Sequence, residues 1–111
     1  MLFVLNSLIV PINFQKHPQA FIKLKTITIE EAKILVKTKP FVSAVGHAAT
    51  AEVLSTVLET PIPVNRAQVF LEPGDRALHF VLSVRLPEGQ VLTKDELMKL
   101  PFQLVLSEVL L

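Results

Sequence analysis

There is no cysteine among the 111 residues. That removes disulfide frameworks and thiolate chemistry, and it says little about the compartment. Glycine occurs three times, too seldom for the glycine-rich loops that cradle phosphates in the common nucleotide fingerprints. Charge of one sign is lacking as well. Eleven Lys and Arg stand against 10 Asp and Glu, a formal net charge of +1, so no overall field draws the chain to long nucleic acid or to an anionic membrane. A role involving nucleotides then needs a few cations placed locally. Metal-ligand spacing is missing too: His17, His47 and His79 are far apart, and no two carboxylates sit beside a histidine. No metal and no cofactor are expected. No serine stands in a nucleophile elbow. The apolar stretch Met1 to Ile12 has no basic start and no small-residue cleavage site, and it is too short to cross a bilayer. It reads as a buried strand, and the chain is expected to be cytoplasmic with no membrane partner.

What the sequence has in excess is apolar side chains: 50% of residues, against 19% charged. At this length it is one domain, residues 1–111, with one core. A small domain does not easily hide so much apolar surface, which points either to a subunit interface or to a tightly packed monomer.

Leu2 to Leu5 is a continuous apolar run of strand length, stopped by Asn6-Ser7, as suits the inside of a sheet. Pro11, Asn13 and Pro18 mark a loop, and Phe21 to Lys25 alternates poorly as a second strand. Thr28 and Glu31 fit a capping box opening a helix that Pro40 closes. Phe41 to Val45 reads as a strand ending at Gly46, and a helical stripe runs from His47 through Ala49, Val53, Leu54, Val57 and Leu58. Arg66 to Leu71 and Ala77 to Arg85 flank the turn Glu72-Pro73-Gly74-Asp75, which predicts a hairpin. Its second strand puts Leu78, Phe80, Leu82 and Val84 on one face, with His79, Val81, Ser83 and Arg85 on the other. Thr93 and Glu96 form a second capping box before a short helix, and Phe102 to Leu110 is a last strand. The expected fold is α/β of the α+β kind: a mixed sheet of about five strands with flanking helices.

Few polar groups remain to carry chemistry, and most fall at strand ends. Gly46-His47 lies where a strand turns into a helix, a position at which ligands, and phosphates in particular, often sit. Histidine exchanges a proton near neutral pH, but one placed here can also do no more than cap its helix. The hairpin would put Arg66 and Arg85 together at the end opposite the turn. Two guanidinium groups there suit a phosphate clamp. Equally, Arg85 makes an ordinary surface pair with Glu88. Asn6 and Ser7 either hydrogen-bond a sugar or base edge or simply form a turn. His17 and His79 read as structural or surface residues.

Taken in order, Leu5-Asn6-Ser7, Ser43-Ala44-Val45-Gly46-His47-Ala48-Ala49-Thr50, Pro63-Val64-Asn65-Arg66, Pro73-Gly74-Asp75 and Arg85-Leu86-Pro87-Glu88-Gly89 resemble one family. They are similar to the anti-CRISPR ring nucleases of archaeal viruses and their relatives in bacteria, phages and plasmids. The resemblance covers nearly the whole chain and is weakest from Pro11 to Pro40. It implies a homodimer that binds cyclic tetra-adenylate, the second messenger of type III CRISPR defence, and linearises it without a metal. The ribose 2′-hydroxyl attacks its own phosphate, leaving 2′,3′-cyclic phosphate and 5′-hydroxyl ends. By the same resemblance His47, Arg85 and Glu88 are the catalytic residues, and Asn6, Ser7, Gly46 and Arg66 bind the ligand. Ile9 and Val81 depart from the pattern, which has a serine in archaeal viral members and an amide in some members at these places, so ligand contacts there do not carry over.

Physical chemistry gives each group a task. The departing 5′-oxygen must be protonated, and His47 is the one plausible acid of the set. Arg85 or Arg66, with amides of the helix start, can meet charge on the phosphate, while Glu88 orients a neighbour or accepts the 2′-hydroxyl proton. A twofold dimer presents every such group twice, matching a ring of four identical nucleotides. Two other functions fit the same residues: a protein that captures a cyclic oligonucleotide without cutting it, and a small structural or regulatory dimer with no nucleotide ligand.

Overall fold

The computed structural model describes residues 1–84 and 93–110. Their elements run β1 (Leu2–Leu5), β2 (Ile22–Ile27), α1 (Ile29–Thr38), β3 (Phe41–Ala44), α2 (Ala48–Leu58), β4 (Arg76–Leu82), α3 (Lys94–Met98) and β5 (Phe102–Val109). The strands form one mixed sheet in the order β2-β5-β4-β1-β3. β1 lies parallel to both β3 and β4, whereas β4 with β5 and β5 with β2 are antiparallel. This is the expected α+β domain.

Local sequence sets the helix starts. Thr28 accepts the Glu31 amide and the Glu31 carboxylate accepts the Thr28 amide. The same reciprocal bonds join Thr93 and Glu96, so each box satisfies amides that a bare helix end leaves open. All three helices lie on one face of the sheet. There Val4, Leu78, Phe80 and Leu104 meet Ala32 and Val36 of α1, Val53, Leu54 and Leu58 of α2, and Leu97 of α3. On the opposite face Phe3, Ala77 and Val109 pack with Ile12 and Leu71 from two loops. Strand β4 thus alternates as its sequence requires, with Leu78 and Phe80 toward the helices and Ala77 toward the loops.

The expected hairpin does not form. Residues 66–71 make no strand, and both edges of β4 are taken, one by β1 and the other by β5. The turn itself is present: Gly74 has φ +93°, the Asp75 amide donates to the Glu72 carbonyl, and the Asp75 carboxylate accepts the Glu72 amide. What precedes it crosses the loop-covered face, where Leu71 is buried and its amide bonds the Pro11 carbonyl. The apolar run of β1 is better satisfied between two strands than at a sheet margin, and that arrangement leaves residues 66–71 no edge of β4 to join. The hairpin therefore cannot bring Arg66 and Arg85 together. Arg85 and Glu88 fall outside the described residues.

β2 occupies one margin of the sheet, with Ile22, Lys23, Leu24 and Lys25 all exposed. Among the described residues no helix is long and apolar enough to cross a membrane.

Candidate functional site

The parallel strands β1 and β3 end side by side, Leu5 opposite Ala44. Their carboxyl ends carry Asn6 and Gly46-His47. Val45 is fully buried and forms an isolated bridge with Val64, so the chain after β3 is held until Gly46. Asn65 fastens the returning segment to the same place: its amide donates to the Val45 carbonyl and its side-chain amide to the Ser43 carbonyl. The Ser43 hydroxyl bonds the Pro63 carbonyl at 2.6 Å.

Gly46 is the centre of a short chain of hydrogen bonds. Its amide donates to Asn6 Oδ1 at 3.1 Å, and its carbonyl accepts from Arg66 Nε at 2.9 Å. The Arg66 stem lies over it so closely that a Cβ at position 46 would stand 3.3 Å from Arg66 Cγ. Glycine is favoured here by that approach, not by an unusual backbone angle. The next residue, His47, is the N-cap of α2 but makes no capping bond. Its imidazole is exposed, and its one hydrogen-bond contact among the described residues is with the Thr50 hydroxyl, Nδ1 at 3.5 Å.

His47 and Arg66 line one open cleft of about 560 Å³, together with Ala48, Ala49, Glu52, Thr93 and Lys94. Arg66 makes no ion pair among the described residues. Its Nε is committed to Gly46, and among the described residues the rest of the fork has no hydrogen-bond partner. The cleft therefore joins an unanchored imidazole, two cations and the uncapped first turn of α2, a combination suited to an anion that must gain or lose a proton.

Of the residues expected from sequence, Asn6, Gly46, His47 and Arg66 come together. Ser7 contributes its main chain, whose carbonyl bonds His79 Nδ1 at 2.8 Å. Glu52 and Lys94 were not singled out in the sequence. Glu52 lies five positions after His47, off the three- and four-residue spacings that mark a shared helix face, and nothing local relates Lys94 to a histidine 47 positions earlier.

Of the two roles the sequence leaves to His79, structural or surface, the fold gives it the structural one. It is fully buried, and its Nε2 lies 2.7 Å from Ser107 Oγ. A carbonyl can only accept, so Nδ1 carries the proton toward Ser7, and Nε2 accepts from the Ser107 hydroxyl. Burial pushes the pKa of this imidazole down, and the bond to the Ser7 carbonyl opposes the shift only in part. The unfolded chain, at the ordinary value of 6.5, therefore takes up this proton first as the pH falls. Stability contributed by neutral His79 is present above 6.5, declines between there and the lower folded value, and stays lost below it. Thermal melts from pH 7.5 downward are expected to show that decline, and His79→Gln should lack this component.

Comparison with known proteins gives a consistent picture. The family model described as STIV B116-like matches residues 2–104. Uncharacterised protein 26 of Sulfolobus islandicus filamentous virus is 44% identical over 110 residues, covering 98% of this chain and 92% of that protein. Uncharacterised protein ORF117 of Acidianus two-tailed virus is 42% identical over 107 residues, covering 94% and 89%. In three dimensions the chain is similar to B116 of Sulfolobus turreted icosahedral virus, with a TM-score of 0.72 at 23% identity over 96% of this chain and 97% of that one. That last likeness concerns the fold.

Proposed function

This chain belongs to the STIV B116-like family, and from that premise we propose that it is a metal-independent ring nuclease that binds and linearises cyclic tetra-adenylate. The observation that carries the reading is the cleft in which His47 faces the same space as Arg66 and Lys94. A cyclic oligonucleotide has a ring of phosphates and no free end, so it is held by local cations. The balanced net charge of the chain fits a small anionic ligand better than a long duplex.

In the proposed reaction the 2′-hydroxyl oxygen of one ribose forms a bond to the adjacent phosphorus, and the bond from phosphorus to the 5′-oxygen of the next nucleotide breaks. His47 gives its proton to that departing oxygen. The 2′-hydroxyl proton passes to a base, the role the resemblance leaves open to Glu88. Arg66 binds the phosphate, and the resemblance adds Arg85 to the same task. Open amides of the first turn of α2 favour the charge that gathers on the phosphate oxygens. The products are linear, ending in a 2′,3′-cyclic phosphate and a 5′-hydroxyl.

A homodimer suits this chemistry. Two symmetry-related clefts would act on opposite linkages of the ring and release two dinucleotides. Exposed Leu8, Ile9, Phe14 and Leu24 supply apolar surface of the kind that a partner covers. The substrate is an intracellular messenger, so the place of action is the cytoplasm.

Incubation with cyclic tri-, tetra- and hexa-adenylate in excess chelator, followed by chromatography, tests the proposal. Conversion of the tetra-adenylate to dinucleotides is expected. A ring that is retained by the protein but stays whole would favour capture without cleavage. No retention and no cleavage would leave a dimer with no nucleotide ligand.

A further inference from the structure

We infer that His79, on the far side of the sheet from the helices, is a positioning residue that holds the Gly46 junction beside the His47 cleft. Its contribution to turnover rests on the ring-nuclease reading, but its effect on the geometry around Gly46 does not.

The inference follows one line of hydrogen bonds across the molecule. Ser107 on β5 donates to His79 Nε2 on β4 at 2.7 Å, and His79 Nδ1 donates to the Ser7 carbonyl at 2.8 Å. The neighbouring Asn6 side chain accepts from the Gly46 amide at 3.1 Å, and the Gly46 carbonyl accepts from Arg66 Nε at 2.9 Å. The line begins in the sheet centre, where His79 pairs with Leu5 on one side and Val105 on the other, and ends at the cation of the cleft. Among the described residues, no other hydrogen bond reaches the backbone from Ser7 to Val10. With Leu8 and Ile9 exposed on that segment, the imidazole is its one polar tether to the sheet.

Histidine suits the place for a chemical reason. The site needs a donor toward a carbonyl on one side and an acceptor for a hydroxyl on the other, and a neutral imidazole offers both on a rigid ring. Both partners are satisfied, and no buried polar side-chain atom is left without a partner among the described residues. A residue needed only to fill the loop-covered face would be apolar, like Ala77 and Val109 on that same face. Burying a polar ring there is costly unless its bonds serve the structure.

Two substitutions separate positioning from packing. In His79→Asn the side-chain amide falls near Nδ1, so it can still donate to Ser7 while losing Ser107. In His79→Gln it falls near Nε2, keeping Ser107 and losing Ser7. Each loses one hydrogen bond and buried ring volume, so both should melt at lower temperatures. If His79 positions the cleft, only the Gln variant shifts the Gly46 amide resonance of the ligand-free protein and speeds that amide's hydrogen exchange, by about tenfold. The same variant should open cyclic tetra-adenylate about tenfold more slowly, with the loss mainly in kcat, while Asn stays near wild type. Equal behaviour of the two variants, tracking their melting temperatures, would overturn the inference.

Should the wild-type protein leave the ring whole, the ring-nuclease reading fails and the Gly46 amide alone decides. A shift with Gln but not Asn supports positioning, and no shift with either overturns it. Should the variants not fold, the long-range proton–nitrogen spectrum of the wild-type protein still tests the arrangement. It must show His79 protonated at Nδ1, and a proton at Nε2 instead would contradict it.

Discussion

Replacing His47 by alanine is expected to lower the rate of the proposed ring opening by about 10²- to 10⁴-fold, the usual worth of a well-placed general acid. Little else is expected to change. The imidazole is exposed, does not cap α2, and among the described residues has a single hydrogen-bond contact, at 3.5 Å with Thr50. Its removal should therefore leave stability within about 0.5 kcal/mol, and affinity for the ring should move by only a few fold, since the proposed mode of binding gives the phosphate to Arg66 rather than to His47. A fall in kcat without a matching rise in KM is the signature of a group that acts in the transition state alone. Single-turnover rates with saturating protein, set beside melting curves, would separate this from a folding defect.

The second large effect is expected at Arg66. Alanine there removes a cation from the cleft and also the stem that lies over Gly46 and the bond to its carbonyl. A loss of about 10²-fold in kcat/KM is expected, in the range for deleting one donor to a developing oxyanion. Lysine should recover little of it. Arg66 has one nitrogen for the Gly46 carbonyl and a planar fork left over for phosphate, whereas a lysine ammonium is a single point that must serve one or the other. Near-complete rescue by lysine would mean that charge alone matters at this position and that the Gly46 contact is incidental. Ring-opening rates at two salt concentrations test the point: the lysine variant should depend on salt more steeply, because an untethered charge is screened more readily.

How far these features were legible in the sequence depended on how far apart their causes lie. The capping boxes at Thr28 and Thr93 are local, with four residues carrying both partners, and both helices start where those residues place them. The junction at Gly46-His47 was legible for the same reason. The hairpin was not. Glu72 to Asp75 is a genuine turn, but a turn specifies only that the chain reverses. Which strand lies beside β4 was decided by β1 and β5, distant in sequence and better able to bury both of its faces. β2 was faint because neither of its faces is buried, so no strict alternation was imposed on Phe21 to Lys25. The bonds of His79 were not legible because its two partners, Ser7 and Ser107, lie 72 and 28 positions away. Lys94 joins the cleft only through the packing of α3 beside α2, a contact that spacing along the chain does not encode.

The resemblance named residues that local reasoning could not rank, and the geometry brings four of them together, Asn6 and Gly46 bonded behind His47 and Arg66, which line the cleft. It also changes the account of how they meet. Arg66 is brought to His47 by its own bond to Gly46 and by Asn65 anchored to β3, not by a hairpin shared with Arg85.

The central claim is that His47 protonates the departing 5′-oxygen, and a cyclic tetra-adenylate with sulfur in place of that bridging oxygen tests it most directly. A thiolate leaves without needing a proton, so the general acid becomes dispensable for this substrate. With the oxygen ring, His47→Ala should be slower than wild type by about 10²-fold or more; with the sulfur ring the two proteins should cleave at nearly equal rates. If the alanine variant is as defective on sulfur as on oxygen, or loses nothing on oxygen, His47 is not the acid and the mechanism proposed for this cleft is wrong.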